Sequence, residues 1–256
     1  MLLVRRSHRW VILELALAAS LILTFSGLLY AAPNFQATNY LANPSFEAGP
    51  WRYSQSSWLA HDWQPWFLHE GDVYNRIPEY CWEETPERIR SGSHTQRYFT
   101  SYGTHTAGIY QQATVPSGAN LTFSIYVKIW TSNHSGPPFE SKDPGNYRAY
   151  VGIDPYGGTD PFSAHVVWCE PVQRYDEWVQ LSVSAVAQGA RVTVFTKGMQ
   201  DYAVMHNDSD WDDASLTKTQ APPTTQPPPS TPPPPTPTPT APTQSPTPSP
   251  TPSPTL

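Results

Sequence analysis

Residues 121–130 read Leu121-Thr122-Phe123-Ser124-Ile125-Tyr126-Val127-Lys128-Ile129-Trp130. Every second side chain is apolar, which is the period of a strand with one side in a core. Shorter runs at 147–153, 179–185 and 192–194 repeat the alternation. Clusters of Gly, Pro, Asn and Asp separate these runs, and no ten-residue stretch has helical periodicity. The pattern predicts an all-β fold, a two-sheet antiparallel β-sandwich.

Composition divides the 256 residues into three segments. Residues 1–35 place three arginines before an apolar run, which predicts an N-terminal hydrophobic helix acting as a cleaved signal peptide or an uncleaved signal anchor. Residues 219–256 are almost entirely Pro, Thr, Ser, Gln and Ala, which predicts a disordered linker or stalk. Residues 36–218 are left for one folded domain.

This organisation predicts where the protein acts. The leader sends the domain out of the cytoplasm whether or not it is cleaved, so we expect a secreted or cell-surface protein. An uncleaved leader would hold it to the membrane. The Pro/Thr/Ser-rich tail is typical of segments that join a domain to a cell wall or to another domain.

The net charge excludes one class of function, and the cysteine content bears on how the fold is stabilised. The formal net charge is −6, only 14% of residues are charged and 13% are aromatic, which excludes a strongly basic nucleic-acid binder. Cys81 and Cys169 are the only cysteines. In an oxidising compartment they predict one disulfide, with two buried or unpaired thiols as the alternative.

Aromatic and basic side chains recur on the outward-facing sides of the predicted strands. Tyr126, Lys128 and Trp130 share one such side, and Arg148 and Tyr150 share another. Aromatic faces pack against sugar rings while polar groups bind the hydroxyls, so we interpret these residues as a binding cleft. The alternative is that a long loop covers them and they belong to the core. With the rings that flank the two cysteines, the predicted carbohydrate-binding residues are Tyr80, Trp82, Tyr126, Lys128, Trp130, Arg148, Tyr150 and Trp168.

Two motifs carry a family resemblance. The opening Leu41-Ala42-Asn43-Pro44-Ser45-Phe46-Glu47 and the closing Trp211-Asp212-Asp213-Ala214-Ser215-Leu216 resemble the first and last strands of carbohydrate-binding modules of the CenC type. Tyr110-Gln111-Gln112 and Trp178 fit the same pattern. The resemblance covers about residues 38–217 and implies a galactose-binding-like jelly roll. It does not identify the ligand.

The same resemblance implies a structural Ca²⁺ ion held by Glu47 with Asp212 or Asp213. Alternation with Ala214 and Leu216 independently predicts that Asp212 points into the core, where an unpaired carboxylate would be costly and a hard cation would compensate its charge. The alternative is a surface carboxylate cluster that includes Asp208 and Asp210.

Enzyme motifs are missing from the sequence. It contains no H-E-x-x-H, no G-x-S-x-G and no glycine-rich phosphate loop after a strand, so we expect no enzyme. A glycosidase would need two carboxylates across a cleft, and the candidates for that role are Glu79, Glu83, Glu84, Glu87, Asp154 and Asp160.

Two functions therefore compete. The first is an exported, non-catalytic carbohydrate-binding module whose partner is a polysaccharide or a cell-surface glycan. The second is a cell-surface or envelope protein that uses the same fold for structure or adhesion without binding glycan.

Overall fold

The computed structural model describes residues 37–70 and 73–219. The predicted leader, 1–35, and the predicted tail from residue 220 onward lie outside the described residues. Among those described, no helix combines the length and apolar character needed to cross a membrane.

The described residues form twelve strands and one 3-10 turn, Pro86–Arg88. The strands are β1 Pro50–Arg52, β2 Trp58–Ala60, β3 Gln64–Phe67, β4 Glu79–Glu83, β5 Thr95–Thr100, β6 Thr106–Thr114, β7 Asn120–Ser132, β8 Arg148–Asp154, β9 Val167–Trp168, β10 Trp178–Val186, β11 Arg191–Met199 and β12 His206–Lys218.

Ten of these strands form two five-stranded antiparallel sheets. Sheet 1 has the order β10-β7-β12-β5-β4, and sheet 2 has the order β3-β6-β11-β8-β9. The strands β1 and β2 form a separate two-stranded sheet. The predicted all-β sandwich is confirmed, and the alternating run at 121–130 lies inside the 13-residue strand β7.

The core lies between the two sheets. Strand β7 contributes Leu121, Phe123, Ile125, Val127 and Ile129, all almost completely buried. Alternate residues of β8, β10 and β11 pack against these side chains in the same core cluster. Burial of such apolar area is the main stabilising contribution to the fold, at about 25 cal/mol per Å².

A β-bulge in β12 reverses the predicted direction of Asp212. The register with β7 shifts between Asp212 and Ser215, and Asp213 has a left-handed backbone with φ of 51°. One extra residue changes the side to which all preceding residues point. Trp211 therefore enters the core, and Asp212 is buried on the outer side of sheet 1. The prediction that Asp212 points into the core is wrong.

The predicted disulfide is also wrong, because Cys81 and Cys169 are free thiols. Cys81 lies on β4, at one edge of sheet 1. Cys169 follows β9, at the edge of sheet 2 that packs beside β10, and its Sγ accepts a hydrogen bond from Val151 N at 3.2 Å. Four strand spacings separate the two edges, roughly 19 Å, whereas a disulfide needs Cα atoms within about 7 Å.

Candidate functional site

The predicted binding residues lie on two different surfaces. Tyr126, Lys128 and Trp130 belong to β7, on the outer face of sheet 1. Arg148 and Tyr150 belong to β8, and Trp168 to β9, on the outer face of sheet 2. The alternation of apolar and polar residues along a strand shows which side chains point away from the core. It does not show to which sheet the strand belongs. The two sets are separated by the thickness of the sandwich and cannot line one cleft.

The outer face of sheet 1 is covered by chain around Trp130. The guanidinium of Arg88 lies 4.8 Å from the Trp130 ring centroid and 4.4 Å from that of Phe139. His206 stacks on the same indole at 4.2 Å. Trp130 is only 3% exposed, so for this residue the structure has the alternative arrangement, a ring covered by other parts of the chain.

Two other outward-facing residues of β7, Tyr126 and Lys128, contact the segment 84–92. The guanidinium of Arg90 lies 3.4 Å from the ring centroid of Tyr126. Lys128 Nζ donates to the carbonyl oxygen of Glu87 at 2.8 Å. Both side chains are half-buried in contacts within the protein. The arrangement gives Tyr126 and Lys128 a packing role.

Beneath this segment lies a buried ion-pair cluster. Arg88 pairs with Asp208 at 3.4 Å and with Asp210 at 3.2 Å, and Arg97 pairs with Asp208 and with Glu83. Burial raises the pKa of Asp210 to about 6 although both arginines lower it. The predicted alternative of a surface carboxylate cluster is wrong for Asp208 and Asp210, because arginines seal both from solvent.

The two rings that flank Cys81 are not an open platform. Tyr80 is fully buried in the core, and its hydroxyl donates to the carbonyl oxygen of Trp66 at 2.9 Å. The ring of Tyr80 is therefore part of the core and not of an exposed surface. Trp82 is half-buried, donates its indole N–H to the carbonyl of Phe46 at 2.7 Å and stacks on His94 at 3.5 Å.

The outer face of sheet 2 carries a continuous row of rings. Phe195 on β11 lies opposite Tyr110 on β6 and Gly152 on β8, and Gly152 lies opposite Trp168 on β9. In the next row Lys197 lies opposite Tyr150. We call Tyr110, Tyr150, Trp168, Lys197 and Arg148 the ring face.

Two glycines allow indoles to lie close against this sheet. A Cβ on Gly152 would come within 2.8 Å of Trp168 Cε3 and within 3.0 Å of Cδ2. A Cβ on Gly108 would come within 2.7 Å of Trp66 Nε1, which donates to the carbonyl of Thr196 at 3.0 Å. Glycine inside a strand often marks a close approach of this kind. The sequence contained this signal, but it could not be interpreted without the strand pairing.

A loop covers one part of the outer face of sheet 2. Phe162 packs edge-on against Trp66 at 5.7 Å, and Val166 joins Trp66 and Phe195 in a second, small hydrophobic cluster. Trp66 is 7% exposed and Phe195 is fully buried. Tyr110 and Trp168 pack against the edge of this cluster and remain partly exposed. The ring face is therefore the part of the outer face of sheet 2 that this loop leaves uncovered.

Lys197 occupies the centre of the ring face. Its Nζ lies 4.1 Å from the ring centroids of both Tyr150 and Trp168. Burial lowers the pKa of this ammonium. Arg148 lies on the same side of the sheet and pairs with Asp201. Rings beside polar groups can hold a ligand that has both apolar and polar surface.

A second group of exposed rings lies away from the ring face. Trp58 on β2 is 42% exposed and Tyr53 is 38% exposed. The Arg52 guanidinium lies 5.7 Å from the Trp58 ring centroid. Tyr53, together with Phe67, lines a groove of about 530 Å³. These rings form a separate cluster that provides a comparison for the ring face.

The predicted calcium ligands all contact residues 90–94. Asp212 Oδ2 accepts from the backbone N–H of Arg90 at 3.2 Å and of Ser91 at 3.1 Å. Asp213 pairs with the Arg90 guanidinium and accepts from the Ser91 hydroxyl. Glu47 Oε1 accepts from two backbone N–H groups, those of residues 93 and 94.

These oxygens therefore already have partners in the loop. Within the described residues, no group of three or more His, Cys, Asp or Glu side chains is arranged to hold a metal ion. A cation here would have to replace loop N–H groups as the partner of the carboxylates.

The candidate carboxylates for glycoside hydrolysis include two with clear structural roles. Glu83 accepts from the backbone N–H of Thr85 at 2.9 Å and pairs with Arg97 at 3.0 Å. Asp154 is buried and accepts from the backbone N–H of Tyr156 at 2.8 Å. Glu83 lies on sheet 1 and Asp154 on sheet 2, so these two do not face each other across a cleft.

No protein-family model and no curated protein matches this chain. Solved structures of similar shape include TmCBM61 in complex with beta-1,4-galactotriose, at 12% identity and a TM-score of 0.46, covering 72% of this chain and 100% of that one. The CBM22-1 xylan-binding domain of Paenibacillus barcinonensis Xyn10C matches at 16% identity and 0.41, covering 72% and 97%.

A Stig cyclase, Fisc from Fischerella sp. TAU, matches at 12% identity and 0.46, covering 72% of this chain and 98% of that one. The chain is thus similar in structure both to carbohydrate-binding modules and to a cyclase. Identities this low establish no family for it.

Proposed function

We propose that the protein is a non-catalytic carbohydrate-binding module that holds glycan on the ring face of sheet 2. Tyr110, Tyr150 and Trp168 contact the sugar rings, and Lys197 and Arg148 bind polar substituents. From Lys197 on β11 to Trp168 on β9 the uncovered part of the face spans two strand spacings, about 10 Å. This width suits a short stretch of a polysaccharide chain.

The observation that carries this proposal is the close packing of Trp168 over Gly152, beside Tyr150 and at the edge of the loop cover. Outward positions of a solvated sheet ordinarily carry Thr, Ser, Lys and Glu. Here the half-buried indole of Trp168 lies directly against the sheet because Gly152 leaves room for it. A rigid aromatic surface loses little side-chain entropy when a ligand packs on it.

The experiment is retention of the protein on a panel of insoluble and immobilised polysaccharides. We expect Trp168→Ala to weaken binding about tenfold or more, as loss of a central aromatic anchor does. Trp58→Ala removes an exposed ring from the separate cluster and should leave binding unchanged. Equal loss in both variants, or no retention of the wild type on any glycan, would refute the proposal and leave a structural or adhesive role.

Export and calcium binding belong to the same proposal. We propose a secreted or cell-surface location, because extracellular polysaccharide is the ligand and the N-terminal sequence is that of a leader. We propose a calcium site at Glu47, Asp212 and Asp213, where the ion would take the place of the groups of residues 90–94 that these carboxylates contact; the preference of Ca²⁺ for such oxygen ligands supports it.

A further inference from the structure

Lys197 lacks an anionic partner although the protein is acidic. In residues 37–70 and 73–219 its ammonium has ring contacts with Tyr150 and Trp168 but forms no ion pair and no hydrogen bond. The chain has 21 acidic residues against 15 basic ones. None of those in the described segments is placed to neutralise this charge, which contrasts with the arginines of sheet 1.

The carboxylates at or just beyond the ends of β8, β9 and β11 are engaged or turned to solvent. Asp201 pairs with Arg148 and accepts from the Asn146 side chain. Asp154 is buried and bound to the backbone of Tyr156. Glu170 follows Cys169 and is exposed. The centre of the ring face is therefore locally cationic.

The surroundings make this charge unusual for a surface lysine. Half-burial between two rings removes part of the water that would solvate the ammonium, and the pKa of Lys197 is lowered as a result. The ring contacts compensate only partly, since a cation–π contact at a partly exposed site is weak. An incoming anion would form a charge-assisted hydrogen bond with the ammonium.

We infer that the glycan held on the ring face is acidic: its anionic substituent, a uronate carboxylate or a sulfate ester, pairs with Lys197 while its sugar rings pack against Trp168 and Tyr150. This inference rests on the proposed function and adds the chemical class of the ligand. Arg148 shares its charge with Asp201 and contributes less.

The test measures affinity for three polymers: polygalacturonate, a sulfated galactan and neutral xylan. We expect the wild type to bind one or both acidic polymers and to lose affinity as salt rises from 50 to 500 mM, because ions screen the pairing. Lys197→Met keeps most of the unbranched apolar side chain but removes the ammonium group and its charge. It should weaken acidic binding about ten- to a hundredfold.

Two further variants control for folding and for general charge. Lys197→Arg should retain acidic binding. Lys142→Met removes an exposed lysine that pairs with Glu140 in the loop over sheet 1, and should change affinity less than twofold. Thermal unfolding of Lys197→Met checks that the fold is intact. Should that variant fail to fold, the salt dependence and polymer preference of the wild type decide alone.

The possible results separate this inference from the proposed function. Preference for polygalacturonate over the sulfated polymer identifies the carboxylate, and the reverse preference identifies the sulfate. Binding to xylan alone, or acidic binding that Lys197→Met leaves unchanged, overturns the inference but leaves the glycan-binding proposal standing. Failure to bind any glycan overturns both.

Discussion

Trp168 packs so closely against Gly152 that a Cβ at this glycine would lie 2.8 Å from the indole carbon Cε3. The pairing of β8 with β9 places the two residues opposite each other. Gly152→Ala should therefore displace the indole, weaken glycan retention about tenfold and destabilise the domain by ~1–3 kcal/mol. Retention assays and urea unfolding measure the two effects.

Gly189→Ala is the matched control for this substitution. A Cβ at Gly189 has no heavy atom within 4 Å, so retention and stability should both stay near wild type. Full glycan retention by Gly152→Ala would show that the indole position does not govern binding.

The ion-pair cluster on sheet 1 predicts a strong stability effect at Arg88. This side chain is 3% exposed and bridges Asp208 and Asp210. Arg88→Met leaves two buried carboxylates with less compensation, which should cost about 3–5 kcal/mol in free energy of unfolding. Arg174→Met breaks an exposed pair with Glu177 and should cost at most about 1 kcal/mol. Similar urea midpoints for both variants would contradict the assigned burial.

His105 should make the domain less stable in mild acid. The ring is buried between the Thr100 and Tyr147 hydroxyls at 3.0 and 3.1 Å, and burial lowers its pKa to about 3. An unfolded histidine has a pKa near 6.5, so between these values the unfolded chain binds the extra proton. Stability therefore falls as pH drops below about 6.5 and is fully retained above it.

Comparison with a variant isolates this contribution from that of the carboxylates. Between pH 7 and pH 5 the wild type should lose about 2 kcal/mol more than His105→Gln, as measured by denaturant unfolding at each pH. Parallel curves for the two proteins would show that His105 is not held neutral.

The free cysteines predict that reduction does not affect stability. Titration of the denatured, unreduced protein should detect both thiols, and a reducing agent should not change the melting temperature. Burial raises the pKa of Cys81 to about 11, so its thiol should react slowly in the folded protein. Absence of titratable thiols would mean that the cysteines are oxidised and would contradict the strand placement.

Calcium is expected to stabilise the domain if Glu47, Asp212 and Asp213 bind it. Saturating calcium should then raise the melting temperature by about 5 °C or more relative to a chelator. Glu47→Gln should remove the response, while Glu177→Gln, which alters an exposed carboxylate elsewhere, should keep it. An unfolding curve that is the same in calcium and in chelator would rule out the site.

Some features of the candidate site could be derived from single strands. The alternation in β7 and β8 correctly predicted which side chains leave the core, including Tyr126, Tyr150 and Arg148. The position of Trp168 on the ring face follows from the pairing of β9 with β8 and does not depend on a disulfide at Cys169. Lys197 cannot be distinguished from an ordinary surface lysine within its own strand, because its two ring neighbours come from other strands.

Other features depended on contacts between distant segments. Trp130 is buried by Arg88 and His206, which lie far from it in sequence. It is also covered by Phe139, which lies in the irregular segment between β7 and β8. One bulge residue, Asp213, turned Asp212 to the opposite side of its strand. Periodicity within one strand contains no information about a covering loop or about a bulge that interrupts the strand itself.

The amino-acid order by itself determined that this is a β-sandwich and which face of β7, β8, β10 and β11 is buried, because side chains alternate across any strand and apolar burial selects one side. The tertiary structure alone decided which strands share a sheet, which outer face is covered and which rings stay accessible. Those outcomes depend on pairing and packing between residues far apart in the chain. The alternation of residues within a strand would be the same whichever strand it paired with, so it cannot distinguish these arrangements.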